Sequence, residues 1–450
     1  MNLKRRLTLF DATLLVIGNV IGAGIFTTSG FLAGELPQPL LFIAIWVIGG
    51  ALTICGALTY AEMAGMFPRA GGDYQFLKAA YGPGAGFLLG WVSFWVITPG
   101  SIAALSIAAV GYLKDFFPLN DPVATKLAAL AIIVFLSGIN YRGVRLSGTT
   151  QDSFTLGNLL IMLVLIIGGL LFGKGTWQHI TIVSSSSVPW SKLFGPAMIA
   201  VIFTYSGWFV SAYVGGEVKK PERNLPLSLL MGAVIVTIVY TFINLTYLYA
   251  LPLSRINGAL NVGQLTAQAL FNPAFAQVLS VSIILAIIAS INATILAGAR
   301  IYYAMAEDHI FWFPFKRLHP TYNTPHISIA GQMILACLFV FLGTFDQLLS
   351  YVVFVMLLSS IAAGLAHIIL RVRKPGLPRP YRTWGYPLVP LVFICFYIWI
   401  AAHIAAAKPL TSIIGLLITI SGLPFFYIWT KLDRVQGVKG RSNSASQGPH

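Results

Sequence analysis

Charge is what this chain of 450 residues has least of: Asp, Glu, Lys and Arg together make up 9% of it. A soluble domain carries roughly 25%, so an ordinary solvated surface is excluded. Cysteine is also scarce. All three, Cys55, Cys337 and Cys395, fall inside apolar stretches, which excludes a scaffold built on extracellular disulfides. No cluster of His, Asp or Glu occupies the middle of an apolar stretch. A membrane enzyme needs a nucleophile, a metal or an acid–base pair facing a cavity, so an enzyme is disfavoured. His309, His319 and His326 share one loop, but their spacing matches no compact ligand motif and prolines interrupt it. No metal and no cofactor are expected.

Apolar residues are abundant, at 57%. They form twelve runs, 9–34, 38–66, 84–112, 125–141, 151–173, 192–215, 226–250, 274–304, 326–344, 347–371, 387–407 and 410–430. Most are long enough to cross a bilayer as a helix. They are continuous, where a membrane barrel would show short alternating segments. The reading is an all-α polytopic membrane protein with twelve transmembrane helices and the lipid bilayer as its surroundings. The formal charge of +15 could suggest a nucleic-acid surface, but its distribution says otherwise. Of the 28 Lys and Arg, 22 fall in the terminal segments and alternate loops that share one side of such a topology. This positive-inside bias puts both termini in the cytoplasm and leaves no nucleic-acid partner to invoke. The Lys4-Arg5-Arg6 head resembles a signal peptide, but Asp11 and Asn19 interrupt the apolar body and eleven more runs follow. Residues 174–191 read as a polar outer loop ending in four serines. Residues 431–450 read as a disordered cytoplasmic tail.

The first run contains Val20-Ile21-Gly22-Ala23-Gly24-Ile25-Phe26. Two glycines two apart weaken a helix by about 1 kcal/mol each. One reading is a broken helix whose bare peptide groups bind a polar ligand. The other is a small-residue contact that lets two helices approach. The sixth run carries a similar interruption, Phe203-Thr204-Tyr205-Ser206-Gly207-Trp208, and enters the membrane from the opposite side. Matched interruptions in two inverted halves point to a transporter binding site. Elsewhere, Glu62 stands at a membrane edge before the turn-rich Pro68 to Tyr74, as a solvated acid or part of a gate.

Four stretches resemble the amino acid–polyamine–organocation superfamily, most closely its L-type amino acid transporters. Val16 to Phe26 is similar to the first-helix signature, which usually ends I-G-S-G-I-F. Tyr60-Ala61-Glu62 with Pro68 to Tyr74 is similar to the loop between helices 2 and 3. Phe203 to Trp208 resembles the helix 6 break, and Glu217 to Pro226 the charged stretch after it. The resemblance implies two inverted five-helix repeats, here 1–190 and 191–371, with two further helices in 372–430. Three departures stand out. Ala23 replaces a usual Ser, Ser206 replaces a frequent Gly, and Asn158 stands where several sodium-independent members carry Lys. Family members that pair with a glycoprotein do so through an outer-loop cysteine between helices 3 and 4. The segment 112–125 has none, so no disulfide-linked glycoprotein partner is expected.

Helix dipoles suggest how such a site works. Carbonyls at the end of the first half-helix, near Val20, favour a cation, and N–H groups at the start of the second, at Gly22, Ala23 and Gly24, favour an anion. Carbonyls at Phe203 and Ser206 add acceptors. That pairing suits the two charged groups of an α-amino acid. Tyr205, Trp208 and Phe209 are candidates to close over it, and Asn158, Ser290 and Thr294 for a coupling-ion site. With no carboxylate in mid-span, the expected substrate is a neutral, small-to-medium L-amino acid, moved by exchange or facilitated diffusion. The alternative is sodium- or proton-coupled symport. A channel would not need paired broken helices.

Overall fold

The computed structural model describes residues 3–22, 24–36, 38–114, 116–119, 121–181, 190–259, 261–342 and 345–445, with side chains described except at 144–146, 190–193, 345–351 and 431–445. The chain begins its helices with local capping chemistry. Thr8 and Asp11 exchange side-chain and main-chain hydrogen bonds to open α1 (Leu9–Val20), a reciprocal cap that satisfies two otherwise orphaned groups. After a break the chain resumes as α2 (Gly24–Glu35). Proline in the first turn starts α3 (Pro39–Met66), where its missing N–H costs nothing. The short α4 (Asp73–Tyr81) follows Gly71 and Gly72, whose φ of 112° and 50° suit glycine. Then α5 (Pro83–Val92) and α6 (Thr98–Leu113) form one span joined by a π turn at Ser93–Ile97.

Next come α7 (Pro122–Arg142), capped by Asp121, and α8 (Val144–Leu163), which a second π turn prolongs to Phe172. After α9 (Trp190–Tyr205) and α10 (Val210–Tyr213) come the long α11 (Pro221–Ala250) and α12 (Pro273–Glu307), the latter capped by Asn272. The chain ends in α13 (His326–Leu342), α14 (Phe345–Arg373), α15 (Leu388–Ala407) and α16 (Pro409–Ala445). Among the described residues ten helical stretches are long and apolar enough to span a bilayer, and Phe194–Tyr205 and His326–Leu342 are shorter apolar helices. Each of the twelve apolar runs therefore carries a helix. This is a multi-pass membrane protein. The last helix, α16, runs on through the polar stretch to Ala445. No proline interrupts the chain between Pro424 and Pro449, so nothing forces the helix to stop. Residues 446–450 lie outside the described set, as does the run of four serines.

At the centre, α1 packs against α8, α11 and α12, and α3 lies along α11. A buried polar network ties α7, α8 and α12: Asn140 donates to Asn292 Oδ1 at 2.8 Å, and Asn292 donates to Gln151 Oε1 at 3.0 Å. Buried amides are tolerable because each finds a partner.

One end of the bundle collects the basic loops. There Arg6 and Leu7 donate their N–H groups to the Glu217 carbonyl, and Lys219 N–H donates back to Leu7 at 2.8 Å. This clasp joins the start of α1 to the segment after α10. Arg300 and Glu217, both fully buried, pair side by side at 3.0 Å through two bonds. Glu62 is buried as well, held by Arg371 and Arg379, the Thr383 N–H and His367. It is therefore neither a solvated nor a snorkelling acid. The basic linker 371–382, and with it the appended helices, is pinned to α3 by this carboxylate.

Candidate functional site

Two interrupted spans meet at the centre. In the first, α1 ends at Val20 and α2 opens at Gly24. Ile21 caps α1 with ψ near 88°, outside the helical range, and the Gly22 N–H turns back to the Val20 carbonyl at 2.9 Å. The second interruption runs from Ser206 to Phe209, between α9 and α10. Gly207 adopts φ 95° there, the left-handed region that favours glycine. A Cβ on it would also lie 2.5 Å from the Asn19 amide.

Three side chains lock the interruptions to each other. Asn19 donates its amide to the Gly207 carbonyl at 3.0 Å. It accepts at its own carbonyl from Ser290 at 3.0 Å, and at Oδ1 from Thr294 at 3.3 Å. The Tyr240 hydroxyl on α11 lies 2.9 Å from the Val20 carbonyl and 3.3 Å from that of Thr204. Its one proton serves the ends of both first half-helices. Thr204 in turn donates to Thr28 of α2 at 2.9 Å. None of Asn19, Thr204 and Tyr240 stands out in the sequence as a site residue. The available signal was weak: a lone polar residue in an apolar run, with Asn244 one turn beyond Tyr240.

The candidates named from sequence fall into four groups. Val20 and Gly22 lie at the first interruption, while Ala23 lies outside the described residues. Gly24 opens α2, and a Cβ there would meet the Thr204 side chain at 3.1 Å. The small residue thus serves a helix contact as well as a break. Phe203 still lies in α9, and its carbonyl accepts from Ser206 N–H at 3.0 Å. The second break thus begins at Ser206, three residues into the Phe203-to-Trp208 stretch, because the turn needs the positive φ that only Gly207 provides comfortably.

Along this segment Phe203, Ser206 and Phe209 form a half-buried stripe, whereas Thr204, Tyr205 and Trp208 are buried. Tyr205 donates to the Trp46 carbonyl at 3.0 Å, and Trp208 packs edge-on to Tyr60 at 4.8 Å. Both rings therefore face α3. Phe209 lies 5.3 Å from Trp208 and 5.7 Å from Tyr213. Ser290 and Thr294 gather at Asn19. Asn158 does not join them: it accepts from Ser282 at 2.7 Å, about 12 Å further along α12 for a rise of 1.5 Å per residue. His319 and His326 pack with Tyr141, and no group of three or more potential metal ligands occurs among the described residues.

Below the second interruption, toward the basic end, Tyr60, Trp208, Phe209 and Tyr213 form a continuous aromatic plug. Asp73 sits beneath it at 2% exposure. Burial pushes its carboxyl up to about 7, against the opposing hydrogen bonds of Tyr213 and Tyr60.

Comparisons with known proteins agree with this architecture. Residues 7–423 match the amino acid permease family. The chain is 32% identical over 428 residues to a serine/threonine exchanger of Bacillus subtilis, covering 94% of this chain and 97% of that protein. It is 28% identical over 433 residues to the human large neutral amino acids transporter small subunit 2, covering 95% and 80%. It is 29% identical over 434 residues to the mouse Asc-type amino acid transporter 1, covering 95% and 81%. Together with the two interrupted spans, these matches show that the chain belongs to the amino acid permease family of the amino acid–polyamine–organocation superfamily, whose members are transporters and not enzymes.

Proposed function

We propose that this protein exchanges neutral, small-to-medium L-amino acids by alternating access, binding them between the two interruptions. The observation that carries the reading is the pairing of those interruptions through Tyr240 and Asn19. The first turn of α2, from Gly24, offers N–H groups to the carboxylate, and the carbonyl ends of α1 and α9 with the Tyr240 hydroxyl receive the ammonium. Two opposite half-charges a few ångströms apart fit a zwitterion without any charged side chain. Lysine or arginine would bring a third charge that needs its own carboxylate, and an unpaired buried charge costs several kcal/mol. Ser206 and Phe209 narrow the half-buried stripe that a side chain would meet. The relatives named as a serine/threonine exchanger and as neutral amino acid transporters support the same class.

Exchange is favoured over proton-coupled symport because Asn158 cannot titrate, and the relative named as a serine/threonine exchanger supports exchange over sodium coupling as well. The two inverted repeats are assigned to 1–190 and 191–371, with 372–430 appended and 431–450 as a tail. The bias of Lys and Arg toward one set of loops supports a chain in the cell membrane with both termini in the cytoplasm. The chain works without a disulfide-linked glycoprotein.

The test is counterflow of radiolabelled L-serine into liposomes holding the purified chain alone. Internal serine, alanine or leucine is expected to accelerate uptake, and internal arginine is not. Acceleration by arginine and by none of the neutral amino acids overturns the reading.

A further inference from the structure

The basic-end plug contains one charge-bearing group that the transport reading does not use. Asp73 opens α4, between two spans. Its Oδ2 accepts from the Tyr60 hydroxyl of α3 at 3.2 Å, the Tyr213 hydroxyl of α10 faces the same carboxyl, and Oδ1 has no partner at hydrogen-bonding distance. Arg69, in the loop before α4, is exposed to solvent, and the other surrounding charges are committed elsewhere. On α4 itself Lys78 pairs with Asp308, which also accepts from Tyr74. On α3 Glu62 is bound to Arg371, Arg379 and His367. From α12 Arg300 is paired with Glu217, and Tyr303 donates to Glu307. Just beyond α14 Lys374 donates to the Ala79 carbonyl. Tyr302 of α12 and Tyr397 of α15 stand near the two tyrosines, and α5 carries no charged residue. Among the described residues no cation pairs with Asp73.

A buried carboxylate without a cation is costly, and its neutral form is not. Tyr60 and Tyr213 come from different helices, and Tyr213 lies on the broken span whose second half must move if the plug is to open. We propose that Asp73 is the positioning residue of the basic-end gate: its buried neutral carboxyl bridges Tyr60 and Tyr213 in the closed state, and its ionisation favours the open state, where water hydrates the carboxylate. The proposal rests on the alternating-access reading above.

The sign follows from linkage. Burial raises the Asp73 carboxyl to about 7 when the gate is closed, while an open, hydrated carboxyl titrates near 4. Between those values the closed state binds more protons, so acid favours closure and rising pH favours opening, with a plateau above about 7. Opening should increase about tenfold from pH 6 to pH 8.

The experiment needs no substrate. A single cysteine is placed at Ala212, which is buried in α10 beside Tyr213, in a chain carrying Cys55→Ala, Cys337→Ala and Cys395→Ala. Its alkylation by N-ethylmaleimide is timed with Asp73 present and with Asp73→Asn. The ratio of the two rates cancels the thiol's own titration. That ratio is expected to rise about tenfold between pH 6 and pH 8, and a flat ratio overturns the proposal. If Asp73→Asn does not fold, Tyr213→Phe serves instead. Losing a hydroxyl that stabilises the carboxylate must shift the labelling midpoint to higher pH, and an unshifted midpoint overturns the proposal as well. Absent counterflow with pH-responsive labelling would count against the amino acid reading and leave the gate standing.

Discussion

The two ends of the bundle are closed by different chemistry. At the basic end the seal is electrostatic and directional: the four Lys or Arg ion pairs among the described residues lie there, with the His367 contact to Glu62, the main-chain clasp at Leu7 and the contact of Ala70 with Val214. At the other end α2 meets the segment before α12 by close packing. Gly258 donates its N–H to the Gly30 carbonyl at 3.0 Å, and a Cβ on Gly30 would fall 1.9 Å from the Ala259 carbonyl. Polar bonds can be exchanged for water when a seal opens, so they make a reversible lock. Backbone packing gives way only by moving whole segments. The latch at the basic end is thus built from groups able to trade partners.

The largest expected effect comes from breaking the deepest part of that latch. Arg300→Met leaves Glu217 buried and unpaired, which costs about 3–5 kcal/mol. A large fall in the melting temperature of the purified protein checks this, and adding Glu217→Met should recover much of the loss. At the opposite end Gly30→Ala forces a methyl against a carbonyl and should destabilise by about 1–3 kcal/mol, with no partner substitution able to rescue it. If both variants behave alike, the contrast between the ends is wrong.

Smaller effects are expected where the two interruptions meet. Gly24→Val should abolish serine counterflow while the protein still folds. Pairing it with Thr204→Ala, which clears the side chain a Cβ would meet, separates the two uses of that glycine: restored transport means the contact between α2 and α9 was the obstacle. Tyr240→Phe removes the proton shared by the Val20 and Thr204 carbonyls, at about 1–2 kcal/mol. It should raise the KM for serine about tenfold with little change in protein yield. The smallest change is Asn158→Ala, which loses the bond from Ser282, about 1 kcal/mol. Uptake by this variant and by the parent protein should both be insensitive to an imposed proton gradient.

Much of this could be read from the sequence because it depends on local pattern. Apolar runs of bilayer length gave the helices, and Gly22 with Gly24 marked the first interruption. The second was marked less sharply: Phe203 to Trp208 looks uniformly irregular, and only the backbone shows that Gly207 holds the turn while Phe203 stays helical. The links that matter most were not legible. Asn19 to Gly207 and Tyr240 to Val20 join residues 188 and 220 positions apart, and nothing periodic announces such a partner. Asp73 looked like one acid in a turn-rich loop. Its burial under four aromatic rings is a property of three helices together.

The clasp at the amino terminus turns a short extended segment into an instrument. Arg6 and Leu7 are bonded to the chain beyond α10, and α1 is a rigid lever of 12 residues, about 18 Å long. Any swing of that lever toward opening must first peel the segment from its neighbour. A small fluorophore attached near Leu3 would therefore brighten or dim in step with the gate, whereas a label on the far side of α16 would ride along unaffected. The same geometry advises against fusing a bulky partner ahead of Met1: it would load the moving arm, and the transporter would report the weight of the tag.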